Sequence, residues 1–210
     1  MSKNQKGHRK EQYYKKSKRE GYRARSAFKL IDIQKRFNIF KRAFYILDLG
    51  SAPGSWLQVS KLFAENNLKR YKDQYYHRDQ YKIMGIDVKN ISPIENVNIL
   101  NMDITTLEVQ DEINSFFQDK LDLILSDASI KKSGNKFTDQ LNQIKLCYKI
   151  LDLTKFLKHK GVFVVKCFQG ADFNNFFEMI KKKFHYVKSY KPKSSKKKSN
   201  EIYLIGFKKK

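Results

Sequence analysis

The sequence predicts an α/β fold: a parallel sheet with helices on both faces. Three observations predict it. Short apolar runs rich in strand formers alternate with stretches whose apolar residues recur at helical spacing. The first run leads into a glycine turn, Gly50-Ser51-Ala52-Pro53-Gly54. Acids or a lysine stand at or just past the ends of the runs: Asp48, Asp87, Asp103, Asp127 and Lys166. Ligands of such sheets bind beyond the carboxyl ends of the strands, so these side chains are expected to converge on one rim.

The elements follow in order. Residues 1–21 are polar and basic, and read as a flexible arm or a solvated helix, with Tyr13 and Tyr14 the only aromatics. Residues 22–40 place Ala27, Leu30, Ile31, Gln34 and Phe37 at helical spacing, with Ser26 as a local cap. Phe44–Leu49 is the first strand, and a helix follows over about Ser55–Glu65. Residues 67–80 are polar and read as a loop or surface insertion. Tyr81–Ile86 and Val97–Leu100 are strands, 107–118 a helix, and Leu121–Leu125 the fourth strand. After a polar loop at 128–137 comes a long helix, Thr138–His159, then a strand at Gly161–Val165 ending on Lys166. A helix at 171–183 and strands at Tyr186–Tyr190 and Glu201–Phe207 complete the chain, the last two separated by a basic, serine-rich loop. The arm is set apart, and 22–210 is expected to be one domain.

Composition narrows the function. The chain has 210 residues and a net charge of +23. Residues 1–42 carry 15 basic and 3 acidic side chains, and residues 181–210 carry 12 and 1, while 43–180 is balanced. An AT-rich genome inflates lysine, but it does not explain a neutral middle between two loaded ends. That distribution points to a polyanionic partner. The two cysteines and four scattered histidines show neither zinc spacing nor a disulfide framework, so a reducing intracellular setting and no metal are expected. No apolar run is long enough to span a membrane. Cytoplasm, nucleus and, if a presequence was removed, mitochondrion or plastid all remain open.

The glycine turn lacks both GxGxxG and the Lys-Ser/Thr of a phosphate loop. It fits either an ordinary strand–helix turn or a nucleotide-like ligand. A carboxylate at Asp87 can accept ribose hydroxyls, and Asp103 can hold an adenine amino group; each alone also fits a solvated loop. Lys166 interrupts the apolar run VFVVKCF, and Glu201 is the only acid among the last 30 residues.

These residues carry a resemblance. RARSAFKL, DLGSAPGSW, GID, NMDIT, SDASIKKSG, VVKCFQG and KPKSSKKKSNEIYLIG stand in the order of the corresponding segments of the FtsJ-type (RrmJ/RlmE-like) RNA ribose 2′-O-methyltransferases. The chain resembles that family over about residues 20–207. The resemblance implies a Rossmann-like class I methyltransferase fold, with a seven-stranded sheet whose last strand runs antiparallel. It implies S-adenosyl-L-methionine as cofactor, held by Gly50, Ser51, Pro53, Gly54, Trp56, Asp87, Asp103 and Asp127. It implies a catalytic set of Lys29, Asp127, Lys166 and Glu201. The expected substrate is a ribose 2′-hydroxyl of large-subunit ribosomal RNA, naked or in the subunit, and the expected state is a monomer. A tRNA anticodon-loop methyltransferase and a non-catalytic ribosome-assembly factor are the alternatives. Two features depart from the family: Ala128-Ser129-Ile130-Lys131 replaces an Ala-Pro-Asn-like run, and 67–80 is longer than the bacterial pattern. The basic ends are expected to bind phosphates near the site rim, with Tyr13, Tyr14 or Tyr22 stacking on unpaired bases.

Overall fold

The computed structural model describes residues 3–71, 79–130, 133–196 and 199–210. Seven strands form one sheet: β1 (Tyr45–Leu49), β2 (Lys82–Asp87), β3 (Asn98–Asn101), β4 (Leu121–Ser126), β5 (Leu157–Phe168), β6 (Phe184–Tyr190) and β7 (Glu201–Lys209). Their order is β3-β2-β1-β4-β5-β7-β6. The first five run parallel, and β7 lies antiparallel between β5 and β6. This is the Rossmann-like arrangement expected.

Among the described residues six α-helices accompany the sheet: α1 (Lys3–Arg19), α2 (Ala27–Phe37), α3 (Ser55–Tyr71), α4 (Glu108–Phe117), α5 (Lys136–Asp152) and α6 (Phe173–Lys183). The central strands are apolar on both sides and need cover on both. Ile46, Ile83, Leu123, Leu125 and Val164 face α2 and α3 through Leu30, Ile33, Leu57 and Val59. Leu47, Leu49, Met84, Ile124 and Val165 face α4, α5 and α6 through Ile113, Phe117, Ile144, Cys147, Phe176 and Ile180.

Several boundaries differ from the expectation, each for a local reason. The helix assigned to Thr138–His159 ends at Asp152; a 3-10 turn, Leu153–Phe156, follows, and β5 begins at Leu157. Leu153, Phe156 and Leu157 prolong the apolar spacing, so periodicity alone cannot see the break. Leu157 pairs with Leu121 of β4 there, and Asp122 ties the junction. Its Oδ2 accepts the Phe44 and Tyr45 N–H groups at 2.7 and 2.8 Å, and its Oδ1 meets Lys158 Nζ at 2.6 Å. Helix α3 runs to Tyr71, past its expected end at Glu65. Asn67 is therefore not part of a surface loop: it is buried, and its amide donates to the Phe40 and Ala43 carbonyls at 2.7 and 2.9 Å. Residues 72–78 of that stretch, and Lys131 of the family-departing run, lie outside the described residues. In α2 the buried face is Ala27, Phe28, Leu30 and Ile33, one step round from the predicted stripe. Ser26 makes no capping bond; its Oγ lies 2.8 Å from Ser55 Oγ instead.

The first 21 residues contain a helix, and its last turns are docked. Ser17 is buried, and Tyr13 packs on Phe28 at 5.5 Å between ring centroids. Tyr22 meets the same ring edge-on at 5.7 Å. Of the three tyrosines expected to stack on bases, Tyr14 is 55% exposed, while Tyr13 and Tyr22 are half-buried.

Candidate active site

β1, β2 and β4 end on the same rim, and the turn after β1 crosses it. Gly50 has φ +73°, and a Cβ on it would stand 2.5 Å from Ala128 Cα and Cβ. Only glycine permits that approach. Arg23, which the residue-by-residue reading did not single out, staples the turn from outside. Its guanidinium donates to the carbonyls of Pro53, Ser92 and Pro93 at 3.2, 2.6 and 2.8 Å.

Beneath the turn lies a cavity of about 300 Å³. Gly50, Ala52, Asp87, Asp103, Asp127 and Ala128 supply polar edges to it, and Val88, Met102, Ile104 and Leu146 an apolar floor. Asp87 Oδ2 accepts from Ala52 N–H and Oδ1 from Lys89 N–H, both at 2.9 Å. Each oxygen keeps a second lone pair for a ligand. Asp103 Oδ1 accepts the N–H and hydroxyl of Thr105, both at 2.9 Å.

The other expected cofactor residues stand behind this surface. Trp56 is buried, and its indole N–H donates to the Ser26 carbonyl at 2.9 Å. Ser51 is buried, Pro53 is exposed beside Arg23, and none of Ser51, Pro53, Gly54 and Trp56 lines the cavity. They shape the turn that does.

Asp48 was expected at the rim. It lies one residue inside β1, fully buried, and neither carboxylate oxygen has a hydrogen-bond partner. Burial pushes its pKa well up, and Asp127 and Asp87 add to the rise. A carboxyl whose folded pKa is raised costs nothing below its unfolded value, and its cost grows as pH rises toward the folded value. Asp48→Asn should therefore raise Tm at pH 7 by about 2–4 °C, roughly 1 kcal/mol. The gain should vanish by about pH 3, below the ordinary carboxyl range. Thermal melts of both proteins across pH check this, and a pH-independent gain would refute it.

Lys29, Asp127, Lys166 and Glu201 come together beside the cavity. Lys166 is 6% exposed; its Nζ lies 2.5 Å from the Asp127 carbonyl and 3.1 Å from Asp127 Oδ1. Lys29 Nζ lies 2.8 Å from Glu201 Oε1 and 3.5 Å from Asp127 Oδ2. Ser195 Oγ donates to Glu201 Oε1 at 3.0 Å. Burial raises the Asp127 pKa, but Lys166, Lys29 and the Tyr203 hydroxyl outweigh it and hold the carboxyl below its usual range.

Tyr203 is the member that sequence reasoning missed. It stands directly opposite Lys166 in the β5–β7 ladder. Its hydroxyl donates to Asp127 Oδ1 at 2.6 Å and accepts from Lys29 Nζ at 3.0 Å. Burial, with Asp127 and Glu201 nearby, raises its pKa well above the usual tyrosine value, so it stays a donor. The signal was the alternation of EIYLIGF, which puts Glu201 and Tyr203 on one face. Tyr203→Phe should lower turnover about tenfold and stability by about 1 kcal/mol, the worth of one hydrogen bond. Cofactor affinity should not change, and equal turnover of the two proteins would count against a role for the hydroxyl.

Asp127 thus belongs to both the cavity wall and the charged cluster. A ligand in the cavity and a hydroxyl-bearing molecule at Lys166 would meet at this carboxylate. Among the described residues no group of three or more His, Cys, Asp and Glu is placed to hold a metal ion, and no helix is long and apolar enough to cross a membrane.

Comparison with known proteins shows the family and the fold. The family described as FtsJ-like methyltransferase matches residues 22–209. The ribosomal RNA large subunit methyltransferase E of Ehrlichia chaffeensis is 38% identical over 195 residues, 92% of this chain and 86% of the relative. The protein of the same name from Archaeoglobus fulgidus is 36% identical, covering 94% and 95%. A Plasmodium falciparum chain classed as a ribosomal RNA methyltransferase superposes with a TM-score of 0.73 at 34% identity, over 90% of this chain and 98% of that one. Human methyltransferase-like protein 13, solved in complex with SAH, shares the fold at 11% identity and a TM-score of 0.51, over 86% of this chain and 78% of its own.

Proposed function

Because the chain belongs to the FtsJ-like methyltransferase family, we propose that it transfers a methyl group from S-adenosylmethionine to a ribose 2′-hydroxyl of large-subunit ribosomal RNA. The observation that carries this reading is Asp127, shared by a nucleoside-sized cavity and a two-lysine, two-acid cluster drawn from four elements. The names of the relatives support the RNA substrate.

The cavity suits the cofactor: about 300 Å³, an apolar floor for a flat base, and carboxylates with spare lone pairs for hydroxyl and amino groups. The cofactor, when bound, supplies an already activated methyl group on a sulfonium. The protein's share of the work is alignment and the handling of one proton. Asp87 and Asp103 would hold the nucleoside end and the Gly50 turn the rest. Lys166 would meet the 2′-hydroxyl, as base or as orienting donor, and Asp127, held below the usual carboxyl range by its two lysines and Tyr203, anchors the Lys166 Nζ. In near-attack geometry these residues would hold the hydroxyl in line with the methyl group, and the hydroxyl proton would pass to the Lys166 amine or, with Lys166 as the orienting donor, to solvent. Such positioning is worth about 7–11 kcal/mol of barrier.

The test is methyl transfer from labelled S-adenosylmethionine to large ribosomal subunits, naked rRNA and total tRNA. Label on the subunit or its rRNA is expected. Label on tRNA would keep the chemistry and overturn the substrate. Cofactor and RNA binding without label on any of the three would favour an assembly factor.

One substitution reports on the cavity alone. In Gly50→Ala the new methyl must displace the Ala128 backbone and occupy a left-handed backbone region. S-adenosylhomocysteine affinity should fall at least tenfold, with about 1–3 kcal/mol lost from stability. Titration calorimetry checks it, and unchanged affinity would remove the turn from the cofactor site.

A further inference from the structure

The basic C-terminal segment does not all reach the site rim. Ser194 and Ser195 do: Ser194 donates to Asp32 of α2, and Ser195 to Glu201. But α6 runs down to Lys181, Lys182 and Lys183, and β7 runs down to Lys209, with Lys210 just beyond. Both end on the opposite rim, where β4 begins beside Lys120.

These ends are built against one another. Lys210 N–H donates to the Lys183 carbonyl at 3.0 Å, and its Nζ to the Lys181 carbonyl at 3.0 Å. Lys209 stands opposite Phe184 in the β6–β7 ladder. Burial and repulsion from Lys120 and Lys183 hold the Lys209 ammonium below the usual lysine range. The nearby acids are few: Glu178 pairs with Lys181 at 2.7 Å, and Asp119 accepts from the Lys120 N–H. The carboxyl end of a helix carries only about half a negative charge, far less than six lysines bring.

We propose that this far rim is a second RNA-binding surface, taking the phosphate backbone of the same RNA whose ribose enters the site. The inference rests on RNA being the substrate. Glu201 and Lys209 lie eight residues apart on one strand, which spans roughly 26 Å at about 3.3 Å per residue. A mononucleotide cannot reach both ends, whereas a folded RNA passing over the outside of the molecule from one rim to the other can. The patch is all lysine, a set of point charges suited to phosphates rather than to base edges. It fixes where the RNA lies, and the cluster at the other end does the chemistry.

The test replaces Lys182, Lys183 and Lys209 together by Gln and, in a second protein, by Arg. Binding of naked large-subunit rRNA is measured across salt concentrations, with S-adenosylhomocysteine affinity as the control for folding. Removing three phosphate contacts should make the slope of log affinity against log salt shallower by about 2–3. The Arg protein should keep the wild-type slope. A folded Gln protein with the wild-type slope would overturn the proposal. So would loss of binding to phosphatidylserine vesicles with rRNA binding unchanged, which would make the surface a membrane contact. If the triple variant does not fold, acetylation of Lys182 in the wild-type protein decides: several-fold protection by rRNA supports the surface, and no protection refutes it. None of these readouts requires methyl transfer. A shallower slope without labelled rRNA would keep this surface and reject the proposed activity, and labelled rRNA with an unchanged slope would do the reverse.

Discussion

Replacing Lys166 with Ala is expected to lower methyl transfer by about 10²–10⁴-fold, the usual range for a positioned proton-handling group. The affinity for S-adenosylhomocysteine should stay within a few-fold, because Lys166 does not line the cavity. The Asp127 carbonyl and carboxylate grip its ammonium from one side. A 2′-hydroxyl brought beside it would meet what the nitrogen has left to offer. Lys166→Arg then separates two roles. An arginine always carries its charge and cannot take a proton, so an inactive Arg variant would identify Lys166 as base, and a partly active one as orienting donor. Single-turnover assays with saturating cofactor make the measurement. Near-wild-type turnover in Lys166→Ala, with cofactor binding intact, would remove the lysine from the reaction.

The second large effect is expected in Asp127→Asn. The amide keeps the volume and can still accept from Tyr203, but it leaves the Lys166 and Lys29 ammoniums facing each other without the anion between them. Breaking a buried pair by removing one partner costs about 3–5 kcal/mol. The pH dependence follows from the lowered pKa of Asp127. A carboxyl depressed in the folded state contributes its full stabilisation above the unfolded value and loses it as pH falls through the folded value. The gap between wild type and Asp127→Asn should therefore be widest near neutrality and narrow in acid, below the ordinary carboxyl range. Denaturant unfolding at several pH values tests this, and a gap that widened in acid would contradict the assignment. Activity should fall at least as far as in Lys166→Ala, since Asp127 also borders the cavity.

The order of strands and helices was legible because each central strand is a short apolar run bounded by polar residues. The rim was legible for a related reason: Asp87, Asp103 and Asp127 are polar residues placed where apolar runs stop, whereas Lys166 lies inside β5, which runs on to Phe168, and showed itself by interrupting an apolar run. Asp48 broke that rule. It reads like the end of β1, yet the strand continues through Leu49 and takes the carboxyl inside. The α5–β5 boundary was hidden because Leu153, Phe156 and Leu157 serve a 3-10 turn and a strand as well as they would a helix. Tyr203 was lost among 12 tyrosines, its meaning set by the Lys166 opposite it. Charge misled in a different way. Residues 181–210 look like one basic block, but β6 and β7 run it up and back, so Lys183 and Lys209 stand at the rim opposite Glu201.

β7 is the last strand in chain order, yet it sits inside the sheet, hydrogen-bonded to β5 on one side and β6 on the other. During synthesis the other six strands emerge first, and β6, whose one neighbour in the sheet is β7, has no strand to pair with until β7 arrives. Folding thus closes on a long-range insertion, the kind of step that chain topology makes slow. The inserted strand carries Glu201 and Tyr203, the partners of Lys29 and Asp127. A chain halted before β7 would have its cavity-forming strands but only part of its charged cluster. The moment at which the sheet becomes whole is thereby also the moment at which the reactive centre is assembled.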